Sequence, residues 1–141
     1  MQKMTLEEAK SFLLTGTRTG KLASVRADGR PHLAPVWFLL DGDDLIFTTW
    51  HESVKAHNIQ REPRLSLCVD DQTPPYSFVI VEGTAVIEED PAALKQWATR
   101  IAARYMGEDL AESYGQRNAV PGELLVRLTP TKIIAEKELA Q

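Results

Sequence analysis

Lys55 and Asn58 stand three residues apart in the segment ESVKAHNIQREPR, just after an apolar run that ends in Thr48 and Thr49. If the segment is helical, positions i and i+3 share a face, so an ammonium and a carboxamide could donate to one anion. The start of such a helix adds free backbone amides and a partial positive charge. The two threonines would bring hydroxyl donors to the same place. These are the parts of a phosphate pocket. They are also the parts of an ordinary solvated helix face, and on spacing alone that plainer reading is the better one.

The second candidate is Pro35-Val36-Trp37 within HLAPVWFLL. A proline gives no amide to a strand ladder, so the run should be bulged or lie at a sheet edge around Pro35. Neighbouring amides and an aromatic wall would then be free for a planar ligand. A bulged core strand explains the same letters, and spacing alone favours it.

Other chemistries find little support. His32, His51 and His57 lack the spacing of a helical metal site, and no Cys-x-x-Cys exists. His32 follows an Asp-Gly turn and is expected to be exposed, and His57 is expected on the surface beside the candidate pocket. Cys68, the single cysteine, has no disulfide partner within the chain and reads as a buried structural thiol. No Gly-x-Ser-x-Gly, P-loop or Gly-x-Gly-x-x-Gly occurs. The net charge is -4 and the 16 basic residues are scattered, which argues against a nucleic-acid partner. The acidic N-terminal segment and the lack of a long apolar run predict a cytoplasmic protein with no membrane partner.

The elements that must position the candidates can be read from pattern. Thr5 and Glu8 have the spacing of a capping box ahead of a short amphipathic helix, with Gly16 as its stop. Asp28-Gly29 and Asp41-Gly42 separate three strand-like runs as hairpin turns. ESVKAHNIQREPR reads as a short helix ending before Pro63. RLSLCVDD is a strand with Leu65, Leu67 and Val69 on one face, and SFVIVEGTAVIEE is a long strand in which Gly83 marks a bend or bulge. A helix capped by Asp90, entered through Pro91 and stopped by Gly107 follows, then a shorter helix and a last strand broken or turned at Pro130. The sum is a mainly β protein with inserted helices, one domain over 1–141. Its six or seven antiparallel strands should form a closed or nearly closed barrel.

In this order and spacing, DGRPHLAPVWF, TT…K..N, EPRLSL and VEGTA resemble the pyridoxamine 5'-phosphate oxidase-like split β-barrel family, over residues 6–135. The chain is most similar to the flavin/deazaflavin oxidoreductases of the B group, described as F420-dependent enzymes. The resemblance implies an antiparallel split barrel of the FMN-binding type and a homodimer with two cofactor sites at its interface. It implies that Pro35, Val36 and Trp37 line the flat ring, and that Thr48, Thr49, Lys55 and Asn58 hold the cofactor phosphate. The other face of the ring would meet the partner subunit around Tyr76 to Phe78 and Arg117. The resemblance also implies coenzyme F420 as cofactor, with FMN as the alternative, because a lone lysine with an asparagine is closer to the deazaflavin-binding members. The implied activity is hydride transfer to an electron-poor small-molecule substrate, with no side chain required as acid or base. A pyridoxamine 5'-phosphate oxidase using FMN and a non-catalytic flavin or deazaflavin binder remain as alternatives.

Overall fold

A computed structural model describes all 141 residues. The chain runs β1 (Gln2–Lys3), α1 (Leu6–Leu13), β2 (Gly20–Val25), β3 (Pro31–Val36), β4 (Leu39–Asp41), β5 (Asp44–Trp50) and α2 (Val54–Arg61). It continues through β6 (Arg64–Asp71), β7 (Ser77–Glu88), α3 (Pro91–Met106), α4 (Glu108–Asn118) and β8 (Glu123–Lys137). The strands pair in the order β3-β2-β6-β7-β8-β5-β4, with β1 added on β8, and every pairing is antiparallel. The two edge strands are neighbours in sequence. β3 ends at Val36 and β4 begins at Leu39, and three peptide steps span at most about 11 Å. The sheet must therefore curl until its edges nearly meet, which is the split barrel the sequence predicts. Eight strands form rather than six or seven, because the two-residue β1 pairs and because HLAPVWFLL is cut in two.

The turns and caps follow their residue chemistry. Gly29 and Gly42 take φ of 87° and 62° in the two Asp-Gly hairpins, a region open to glycine at no steric cost. Thr5 and Glu8 close their capping box. Asp90 accepts from the amides of Ala92 and Ala93, and Gly107 terminates α3. The last strand is not broken at Pro130. β8 is continuous, and its register against β7 shifts where Gly83 faces Pro130 and Glu82 faces Lys132, leaving Thr131 as the extra residue of a bulge. A Cβ at Gly83 would stand 2.2 Å from the Thr129 carbonyl oxygen, so only glycine lets the strands approach there.

The barrel interior is apolar. Leu22, Phe38, Leu45, Phe47, Leu67, Val69, Val79, Val126 and Leu128 are fully buried in one cluster, each contributing about 1.5–3 kcal/mol by burial. α1 packs Ala9 and Leu13 into this cluster, and α2 packs Ile59 into it. α3 lies outside the barrel, with Leu94 and Trp97 against Ile46 and Leu125. Cys68 is half-buried on the outer face, not in the core, because it alternates with the inward Leu67 and Val69.

Candidate functional site

α2 starts at Ser53, whose hydroxyl accepts from the Ala56 amide at 3.1 Å and lies 2.8 Å from the Thr49 hydroxyl. Thr49 is buried and faces inward with Phe47. It therefore anchors the N-cap of α2 to β5 and offers nothing to the outside. Thr48 points the other way and is half-buried.

Asn58 departs from its expected place. It is 3% exposed, and its amide donates to the Ser24 hydroxyl at 3.0 Å while Arg61 donates to its carbonyl oxygen. Arg61 also donates to the Val25 carbonyl. The asparagine thus pins α2 onto β2 at the mouth of the barrel, and its amide does not share an open face with Lys55. Lys55, one helix turn earlier, lies half-buried on the rim and belongs to none of the ion pairs of the chain.

Sequence reasoning missed three neighbours of Lys55. His32 is not freely exposed. It faces Ser24 across the β2–β3 hairpin, so its ring shares the inner face with the Ser24–Asn58 pair. Its Nδ1 is buried with no hydrogen-bond partner, and so is Nε of Arg26. Burial pushes the His32 imidazole below its ordinary value, and the charges of Arg26 and Lys55 push it the same way. Lys55 also acts on Glu123, which stands opposite Trp50 in the β5–β8 register. Burial raises its carboxyl, against the opposing pull of the Thr48 hydroxyl and the Lys55 ammonium. The strand alternation that places His32 beside Ser24 was available from the hairpin register. The approach of Glu123 depends on β5 pairing with β8 and was not.

Pro35, Val36 and Trp37 do not form one wall. β3 is an edge strand without a bulge at Pro35. Pro31, Leu33 and Pro35 occupy its alternate exposed positions, where an amide would point away from β2 and a proline costs no ladder bond. Val36 turns inward and is buried in the core. Trp37 and Phe38 lie between the ladders of β3 and β4, and Trp37 stacks on Tyr105 of α3. The Tyr105 hydroxyl donates to the Arg18 carbonyl at 2.9 Å and accepts from the Phe38 amide at 3.3 Å. Beside it, Arg104 donates to the carbonyls of Leu13, Gly16 and Phe38. The end of α3 therefore holds the break between the two edge strands.

The arrangement is a rim with two cations, Arg26 and Lys55, beside the half-buried His32 ring and the half-buried Glu123 carboxyl, a short way along the edge strand from an exposed proline and a braced tryptophan. Two buried nitrogens without partners are what an anion would satisfy, since unpaired buried polar atoms are costly. A phosphate group therefore fits the rim.

The family described as pyridoxamine 5'-phosphate oxidase matches residues 5–137 of the chain. Among solved structures, a conserved hypothetical protein of Mycobacterium tuberculosis is 28% identical, with a TM-score of 0.84 over 98% of this chain and 89% of that one. An F420 reductase is 30% identical, with a TM-score of 0.68 over 86% of this chain and 92% of the other. A heme storage protein of Vibrio cholerae is 19% identical, with a TM-score of 0.74 over 96% of this chain and 98% of that one. That last likeness is one of fold alone.

Proposed function

The chain belongs to the pyridoxamine 5'-phosphate oxidase family, and from that premise we propose that it is a cytoplasmic oxidoreductase that uses coenzyme F420 to reduce an electron-poor small molecule. The observation that carries the reading is the unpaired Lys55 on a rim where His32 Nδ1 and Arg26 Nε lie buried without partners. The deazaflavin is preferred to FMN for two reasons. α2 offers a single cation in its first turn, and an F420 reductase is similar to this chain at 30% identity.

Lys55 would contact the cofactor phosphate directly, with Thr48 as a hydroxyl donor at its side. Thr49 and Asn58 would act one step back: Thr49 fixes the N-cap of α2, and Asn58 fixes the helix to β2. Pro35 and Trp37 would present the edge strand and its free amide positions to the ring, with Val36 anchoring that segment in the core. When bound in its reduced form, F420 supplies a hydride. The protein's part is to hold the ring and keep one face dry, and no side chain need move a proton for the hydride step.

The protein would work as a homodimer. The outer face of the sheet carries Leu33 at 68% exposure and Val25 at 39%, and the loop before β7 carries Tyr76 at 42%. A cavity of about 540 Å³ opens beside Val25 and Pro31, and another of about 530 Å³ beside Tyr76, Phe78 and Ile80. A partner subunit would cover this surface and complete the far side of the ring site.

FMN is the second reading, favoured by the family itself. Fluorescence titration of apo-protein with F420 and with FMN separates the two. Micromolar or tighter F420 binding with weak FMN binding supports the proposal. The reverse preference moves the chain to the FMN branch, and binding of neither removes the cofactor role. Oxidation of bound reduced cofactor no faster with acceptors than in buffer would make the protein a carrier rather than an enzyme.

A further inference from the structure

We propose that His32 is a further anion-contact residue at the Lys55 rim, its buried Nδ1 bonding to a phosphate group seated there with uptake of a proton from solvent. The inference rests on the phosphate reading of Lys55 and extends it from a fixed lysine contact to one coupled to a proton.

The geometry starts from the hairpin. His32 and Ser24 face each other across β2 and β3, and Ser24 holds Asn58 of α2. This places the imidazole against the helix one turn from Lys55, at the mouth of the barrel. Its Nδ1 is buried without a partner, although a histidine nitrogen in such a place ordinarily finds one. The groups packed around it explain the vacancy. Arg26 of its own hairpin and Lys55 of α2 are the charges that act on it, and both are cations that cannot accept a hydrogen bond from an imidazolium. Ser24 and Asn58 are already bonded to each other and do not titrate. No carboxylate counts among the charges that act on the ring, while Lys55 also interacts with the Glu123 carboxyl.

The sign of the coupling follows. In the free protein burial and the two neighbouring cations hold the imidazole below its ordinary value, which favours its uncharged form. An anion seated between Lys55 and Arg26 would supply the missing acceptor and reverse the local field, raising the imidazole. Between those two values binding takes up a proton from solvent, and affinity for the anion rises as pH falls. Below the free value the imidazole is already charged and the gain stops.

Two measurements test this, one without any cofactor. Imidazole resonances are followed by NMR from pH 5 to 8.5 in sodium sulfate and in sodium chloride at equal ionic strength, because sulfate does not titrate in this range. The variants His51→Gln and His57→Gln identify the other two rings and leave His32 untouched. The His32 midpoint should rise by about one unit in sulfate, as expected for an opposite charge within contact distance, and the other two should move less. Separately, F420 affinity is measured at pH 8 and pH 6 in the native protein and in His32→Gln. The ligand's own ionisation is common to both and cancels, so the native protein should gain several-fold more affinity on acidification than the variant. A His32 midpoint that sulfate leaves in place overturns the proposal, and so does an identical pH profile in the variant. If F420 binding depends on Lys55 in either of those cases, the phosphate reading survives alone. If sulfate moves His32 but neither F420 nor FMN binds, the anion site stands and the cofactor reading falls.

Discussion

Trp37 and Tyr105 stack with their ring centroids 5.1 Å apart and their planes 2° from parallel. The contact joins the break between the two edge strands to the last turn of α3, and the Tyr105 hydroxyl adds bonds to Arg18 and Phe38. Tyr105→Phe keeps the stack and removes those two bonds. It should cost about 1–3 kcal/mol, because a carbonyl and an amide lose a partner in a half-buried place. Tyr105→Ala should cost more and should also free Trp37, which would appear as a red shift and increased quenching of tryptophan fluorescence. Urea unfolding of both variants checks the order. A Phe variant as unstable as the Ala variant would place the worth of Tyr105 in its hydroxyl and not in the stack.

Lys55→Ala should weaken F420 binding by roughly 10- to 150-fold, the equivalent of about 1.5–3 kcal/mol for a hydrogen bond to a charged group. Hydride transfer in the saturated variant should stay within a few-fold of the native rate, because the lysine holds the phosphate and not the ring. Titration by fluorescence quenching followed by single-turnover oxidation separates the two quantities. Unchanged affinity would remove Lys55 from the site.

Asn58→Ala tests whether the asparagine positions the helix or touches the ligand. It leaves the Ser24 hydroxyl buried and unpaired, so it should destabilise the protein by about 1–3 kcal/mol. The double variant Ser24→Ala, Asn58→Ala should cost less than the sum of the two single changes, since the residues share one bond. Denaturant midpoints of the four proteins complete the cycle. Additive losses would show that the pair does not hold α2 to β2.

Much of this fold is legible as letters, and the reasons are local. Asp28-Gly29 and Asp41-Gly42 carry their turn type in two residues, and Thr5 with Glu8, and Asp90 with Pro91, carry helix starts in four or fewer. What escapes is set by distant parts of the chain. Nothing in HLAPVWFLL announces a break at Trp37-Phe38. The break is held by Arg104 and Tyr105, which lie 66 and 67 positions from Phe38. The candidate site divides in the same way. Residues three apart on a helix differ by about 60° in direction, enough for Lys55 to reach the rim while Asn58 turns into the barrel. Which one does so depends on where β2 lies. Thr48 and Thr49 separate for a simpler reason, the alternation of a strand, and that could have been read in advance.

Arg127 offers a prediction about pH. Its guanidinium bonds to Asp44 and Asp41 at 3.0 Å and also to Glu88 at 2.5 Å, joining β4, β5, β7 and β8 on the outside of the barrel. These contacts raise the guanidinium above its already high ordinary value, so it stays charged at any usable pH. Arg127→Met leaves three carboxylates facing one another with no cation between them. Their folded-state values would then lie above those of the unfolded chain, and that sets the sign: the penalty is full at neutral pH and shrinks as pH falls and the carboxylates protonate. The loss at pH 7 should stay below the about 3–5 kcal/mol of a fully buried broken pair, because Asp41 is exposed to water. Urea midpoints for the native protein and the variant at pH 7 and pH 4.5 measure it. The gap between the two proteins should narrow at the lower pH, and a gap that stays constant would mean that the arginine stabilises the barrel through its packed stem and not through its charge.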